Sequence, residues 1–263
     1  MRARSPVDTM DSSTNRTMLR GLSLLRAFRP GFPVLTNRDL AESTGLARST
    51  VSRLTGALLT SGLLRQLPGT EGYAPTAACI SLGFAALQSL SGLRERVLPV
   101  MEEAADAQQV SVSLAIPDGD EMIYIDTYRK ARGETLQKIA PGARIPMELT
   151  ALGHGALSVM PADERHACVT RLASKHAKRA EQIVEQIGLN VTHCAAHGWC
   201  RASWFPGLVS VARPMVLPGG LILVFNCAGS VEQMNEAKIR DVLLPLLFQL
   251  TELAAQADGP PPR

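Results

Sequence analysis

Residues 36–62 read TNRDLAESTGLARSTVSRLTGALLTSG, and their pattern decides the fold of the first third of the chain. Thr36, with Asp39 three residues on, forms a capping-box pattern that opens a short helix through Leu40 and Ala41. Gly45 suits the left-handed turn that ends this helix. A second helix runs from about Ala47 to Thr60, with Val51, Leu54 and Leu58 spaced i, i+3, i+7 toward a core. Its opposite face presents Arg48, Ser49, Thr50, Ser52 and Arg53. A helix that enters the DNA major groove needs such short polar and cationic side chains to reach base edges and phosphates. Ser and Thr near its start also leave backbone N–H groups open to a phosphate.

On the N-terminal side, helical spacing begins near Thr17. Met18, Leu22 and Leu25 lie on one face with Leu24 and Phe28 beside it, and Pro30, Gly31 and Pro33 stop the helix. On the C-terminal side, LLRQL, the turn PGTEG and YAPT predict a small β-hairpin, which places Arg65 and Gln66 near the DNA backbone or minor groove. Helix, short helix, tight turn, helix, hairpin is the order of a winged helix-turn-helix. A three-helix protein-interaction module would share the helices. The hairpin, and the absence of acids from Ala47 to Thr70, favour DNA. The expected DNA-contacting residues are Thr36, Arg48, Ser49, Thr50, Ser52, Arg53, Arg65 and Gln66.

Charge supports this reading. Residues 1–80 hold ten arginines, no lysine and five acids, whereas the whole 263-residue chain carries a net charge of only +3. A basic head on a slightly acidic remainder is the asymmetry of a domain that meets a polyanion. Hydrophobic residues make up 46%, enough for a folded core. No apolar run approaches a bilayer span: the candidate at Val242–Leu250 contains Pro245 and Gln249. The polar start, MRARSPVDTMDSSTNR, lacks the apolar segment of a secretory signal and predicts a disordered arm over residues 1–14. The five cysteines are dispersed, odd in number and without a C-x-x-C pair, as expected of reduced cytoplasmic thiols.

Beyond the head, CISLGFAALQSL is apolar on most sides through Ile80, Leu82, Phe84, Leu87 and Leu90. Such a helix needs partners on more than one side, which predicts a linker helix over residues 79–92, broken at Gly92, that packs against a second subunit. From Val110 the period becomes that of strands. VSVSLAI and EMIYIDTY flank the turn PDGD, and GLVSVARPMV and LILVFNC flank LPGG. A basic loop (Arg129, Lys130, Arg132) follows the first hairpin. Helices are expected near TALGHGALSVM, over Ala162–His176 and Lys178–His197, and from Glu232 to Ala255, before the Pro-rich tail at 258–263. Hairpins mixed with helices, without regular β-α alternation, indicate an α+β domain on an antiparallel sheet over residues 93–257.

Together, TMLRGLSLLRAF, the helix-turn-helix segment, GYAPT, ARIPMELTALGHGAL, AAHGW and GLVSVARPMVLPGGLILVFNCAGS resemble the IclR family of bacterial transcriptional regulators, in order, over about residues 15–256. The resemblance implies a winged helix-turn-helix over residues 15–78, a dimerising linker helix and a GAF-like effector-binding domain. The implied partners are double-stranded operator DNA, a small organic or aromatic acid, and a second copy of the chain, with dimers often pairing into tetramers. No cofactor is implied. Carried over segment by segment, the effector-binding residues are Ile145, Ala151, Leu152, Gly153, Leu208, Ser210, Asn226 and Ala228. The helix opening at Leu152-Gly153 would offer its N–H groups and dipole to a carboxylate. This chain departs from the family where it has His154 after the Leu-Gly pair, Arg201 in a loop that often holds an acid, and Asn226 and Ala228 where two hydroxyls are common.

Two other constellations imply other functions. HCAAHGWC sets His193 and His197 one helical turn apart beside Cys194 and Cys200, a spacing compatible with a metal- or redox-sensing regulator. It equally fits a helix end capped by Gly198 with buried thiols. Cys227 with His154, or Ser210 with a histidine, would be the pairings of an enzyme domain fused to the head. Neither stands in a known catalytic spacing, so no catalytic residue is expected.

Overall fold

The structure is a computed structural model that describes residues 12–129 and 140–256. The expected arm over residues 1–11, Lys130 and Arg132 of the basic loop, and the tail at 258–263 lie outside the described residues. The chain divides into two compact units, Met1–Ala86 and Leu87–Arg263.

The first unit contains α1 (Ser12–Ala27), β1 (Leu35–Thr36), α2 (Asn37–Thr44), α3 (Arg48–Thr60), β2 (Leu64–Gln66), β3 (Gly72–Pro75) and most of α4 (Ala77–Gln88). The capping box forms as expected: the Asp39 N–H donates to Thr36 Oγ1 at 3.2 Å, and the Thr36 N–H donates to Asp39 Oδ2 at 2.8 Å. Gly45 takes φ +68°, where a side chain would be strained, and its N–H closes α2 on the Ala41 carbonyl. Leu40, Val51, Leu54, Leu58 and Leu64 form the core with Leu24.

Four expectations need correction. Helix α1 begins at Ser12, inside the range expected to be a disordered arm. Its inward residue is Leu24, while Met18 and Leu22 are exposed. The wing has three strands, because Leu35–Thr36 pairs with β3. A two-residue strand has no periodicity to read. Finally, α4 ends at Gln88, and a turn through Ser89 and Leu90 precedes α5 (Ser91–Gln108), so Gly92 lies inside a helix rather than breaking one.

In the second unit, β4 (Ser111–Asp118), β5 (Glu121–Arg129), β6 (Arg144–Pro146), β7 (Cys200–Ala202), β8 (Leu208–Val216) and β9 (Ile222–Ser230) form one antiparallel sheet. Its order is β6-β5-β4-β9-β8-β7. The helices are α6 (Ala151–Val159), α7 (Ala162–Ser174), α8 (Ala180–His197), the single turn α9 (Glu236–Lys238) and α10 (Leu244–Ala255). A π-helical turn at Ile239–Leu243 joins α9 to α10, next to Pro245, which has no N–H to donate to a regular ladder.

Strand alternation divides the core into two layers. Val209, Val211, Leu223, Phe225 and Cys227 face α5 and α10. Ala212, Ile222 and Val224 face α6, α7 and α8. Both faces are covered, so β9 is buried along nearly its whole length.

Arg94 of α5 clamps Asp126 of β5 through two parallel bonds of 2.8 and 2.9 Å. The Asp126 carboxylate raises the Arg94 pKa. Arg94→Met leaves this buried carboxylate without its guanidinium partner and is expected to cost about 1–3 kcal/mol. Denaturant midpoints at neutral pH measure the loss, and an unchanged midpoint would refute the clamp.

Candidate functional site

Helix α3 turns its apolar stripe inward and leaves the other face bare. Arg48, Ser49, Ser52 and Arg53 are exposed and Thr50 is half-buried. Arg65 and Gln66 are exposed on β2. No side chain caps the start of α3 at Ala47, so its first-turn N–H groups stay open to an anion. Thr36 differs from these residues. Its hydroxyl is engaged with Asp39 in the capping box, so its local role is to hold α2.

In the second unit, three distant segments converge as the resemblance implied. Ile145, Leu152, Leu208, Ser210, Asn226 and Ala228 line one cleft together with Tyr124, Thr150 and Trp204. The Asn226 amide donates to Ser210 Oγ at 3.0 Å, and Asn226 Oδ1 is buried with no donor. The cleft is nearly closed, with about 10 Å³ of free space, roughly one water or less. Tyr124 and Trp204 were not expected there. Strand alternation could have pointed to Tyr124, but Trp204 lies in a loop without a period.

Ala151 and Gly153 do not line this cleft. Gly153 is required by packing: a Cβ there would stand 2.5 Å from the Met147 carbonyl carbon and closer still to its oxygen. Its N–H donates to Thr150 Oγ1 at 3.2 Å, so this helix-start donor serves the cap instead of a ligand.

The HCAAHGWC cluster splits in two. His193 and His197 stack with ring centroids 4.3 Å apart, and His197 Nδ1 lies 3.0 Å from the His193 carbonyl oxygen. Burial and the neighbouring His197 lower the His193 pKa. Cys194 and Cys200 are buried: the Cys200 thiol donates to the Ala151 carbonyl at 3.1 Å, and Ser158 Oγ donates to Cys194 at 3.2 Å. The adjacent Cys200, then the hydrogen bond from Ser158, brings the Cys194 thiol down to about 7. Among the described residues, no group of three or more His, Cys, Asp or Glu could hold a metal ion.

The Cys227–His154 pairing fails on geometry, and the side-chain partner of Ser210 is Asn226 rather than a histidine. Cys227 belongs to the layer under α5 and α10, and burial pushes its thiol up to about 12. His154 stands on α6, over the opposite face of the sheet, and its Nε2 contacts the Glu148 carbonyl oxygen at 3.0 Å. No described helix is long and apolar enough to cross a membrane.

Comparison with known proteins agrees with this arrangement. Residues 17–68 match the IclR helix-turn-helix domain, and residues 84–248 match the bacterial transcriptional regulator IclR C-terminal domain. The HTH-type transcriptional regulator TsaQ1/TsaQ2 of Comamonas testosteroni is 27% identical over 263 residues, covering 95% of this chain and 91% of the relative. An IclR family transcriptional regulator from Brucella abortus, of known crystal structure, superimposes with a TM-score of 0.82 at 29% identity, covering 97% of each chain. A third protein, an IclR homologue from Microbacterium hydrocarbonoxydans solved in complex with 4-hydroxybenzoate, shares the fold with a TM-score of 0.67 at 16% identity, covering 92% of this chain and 98% of its own. The two matched domains follow one another along the chain, no enzyme family is indicated, and the chain belongs to the IclR family of bacterial DNA-binding transcriptional regulators.

Proposed function

We propose that this regulator binds a two-fold operator in the cytoplasm as a homodimer, with α3 in the major groove and the wing on the neighbouring backbone. We further propose that a small organic or aromatic acid, taken up at the Ser210–Asn226 cleft, changes operator affinity. The observation that carries the first part is the exposed, acid-free face of α3, where Arg48 and Arg53 make no ion pair among the described residues. The second part is supported by the convergence of three segments around Asn226 Oδ1, a buried acceptor that lacks a donor. Entry of an acid requires side chains lining the cleft to move, because only about 10 Å³ is free. That movement is the element a ligand would bias, and couplings between such sites are typically about 1–3 kcal/mol.

Arg48→Ala and Arg53→Ala are each expected to weaken binding to a duplex selected from a random-sequence pool, with the fold unchanged by circular dichroism. A bidentate contact to guanine would take about 1–3 kcal/mol of base discrimination with it. Wild-type gel shifts for both variants would refute α3 as the reading helix. For the effector, 4-hydroxybenzoate is the first probe. Asn226→Leu should keep operator binding and lose the response to an acid that wild type answers. A retained response would place the effector elsewhere.

A further inference from the structure

A second cavity, which also has Trp204 in its wall, lies between α6, α8 and the loop after β7, with a volume of about 490 Å³. Its walls include Glu148 and His154, both nine-tenths or more buried. His176 Nε2 donates to Glu148 Oε1 at 2.7 Å, but Glu148 Oε2 is buried and receives nothing. His154 Nε2 lies 3.0 Å from the backbone oxygen of Glu148. That oxygen can only accept, so Nε2 carries the hydrogen and Nδ1 is a bare acceptor. Nδ1 also has no partner. Burial favours this neutral ring by lowering the His154 pKa. Two residues that line the cavity thus each carry a buried orphan acceptor, one of them on a carboxylate, just beneath the surface that a bound ligand would press on. Buried acceptors without donors are rare in folded proteins because each costs a desolvation penalty that only a donor offsets. Elsewhere the cavity is lined by two guanidinium groups, Arg179 and Arg201; Arg201 also pairs with Glu236.

These groups specify a ligand. A single hydroxyl has one hydrogen and cannot satisfy two acceptors, whereas an ammonium has three and carries the charge that complements Glu148. The two guanidinium groups match a carboxylate. We propose that this cavity is a binding site for an α-amino acid, with its ammonium toward Glu148 and His154 and its carboxylate toward Arg179 and Arg201. Apart from Trp204 the site shares no lining residue with the Ser210–Asn226 cleft, and it does not depend on the effector reading given above.

The test is isothermal titration calorimetry on the full chain with the proteinogenic amino acids, each run beside its des-amino and hydroxy analogue. At least one amino acid should bind, with each analogue about tenfold weaker or more. Glu148→Gln should weaken that amino acid about tenfold or more. Arg179→Gln alters an exposed side chain with little risk to folding, and should weaken the same ligand if Glu148→Gln does not fold. Asn226→Leu should leave the affinity unchanged. Failure of every amino acid to bind, equal binding of the analogues, wild-type affinity in Arg179→Gln, or a loss in Asn226→Leu would each overturn the proposal.

Discussion

Replacing Gly153 by alanine is expected to destabilise the second unit by about 3 kcal/mol or more, a large effect for one methyl group. The start of α6 crosses the backbone of Met147 so closely that the new Cβ would enter the Met147 carbonyl. Backbone cannot swing aside as a flexible side chain can. Relief would have to move α6 away from the segment that carries Ile145, Met147 and Thr150, breaking the Thr150 cap and opening the core around Leu152 and Leu157. For a unit of this size the expected fall in melting temperature is roughly 6–12 °C. Gly155→Ala is the internal control: its Cβ would meet Val224 Cγ1 at 3.1 Å, a side-chain contact with more room to yield. Differential scanning calorimetry of both variants decides the matter, and equal midpoints would show that Gly153 is not held by packing.

The second large effect concerns assembly. Helix α4 has no buried residue, and Ile80, Leu82 and Phe84 are each at least 60% exposed. Met18, Leu19 and Leu22 of α1 are also exposed. Apolar side chains exposed in this number are characteristic of an interaction surface. Each would gain roughly 1.5–3 kcal/mol on full burial against a second copy. Leu82→Glu combined with Phe84→Glu should therefore give a monomer in sedimentation velocity. Operator affinity should fall by roughly 100-fold or more, because two half-sites are no longer gripped together. Leu87 is the wrong residue for this test: it packs against the core of its own unit, so a charge there would disturb folding. A persistent dimer in the double variant would refute α4 as the interface.

The DNA-binding head was legible in the sequence because its determinants are local. A capping box, a left-handed glycine and an i, i+3, i+7 stripe act within one or two helical turns, and all three stand where the pattern puts them. The six cleft residues shared by expectation and structure came from resemblance instead, since Ile145, Leu208 and Asn226 are too far apart for any spacing rule. The same resemblance also marked Ala151 and Gly153, which serve packing and capping.

What the residues alone determined, then, is the order of the longer helices and of the three hairpins, the inward stripe of α3 and the apolar character of α4. Each follows from backbone periods and from groups within hydrogen-bonding reach along the chain. What only the tertiary structure decided is which side chains meet across the sheet: that Trp204 lines the cleft, that Cys227 and His154 lie on opposite faces, and that Glu148 and His154 line one cavity, each with one acceptor left without a donor. These depend on how α6 and α8 settle on strands far away in sequence. Such long-range packing is chosen by volume and by the satisfaction of polar groups in three dimensions, neither of which is written in a local period.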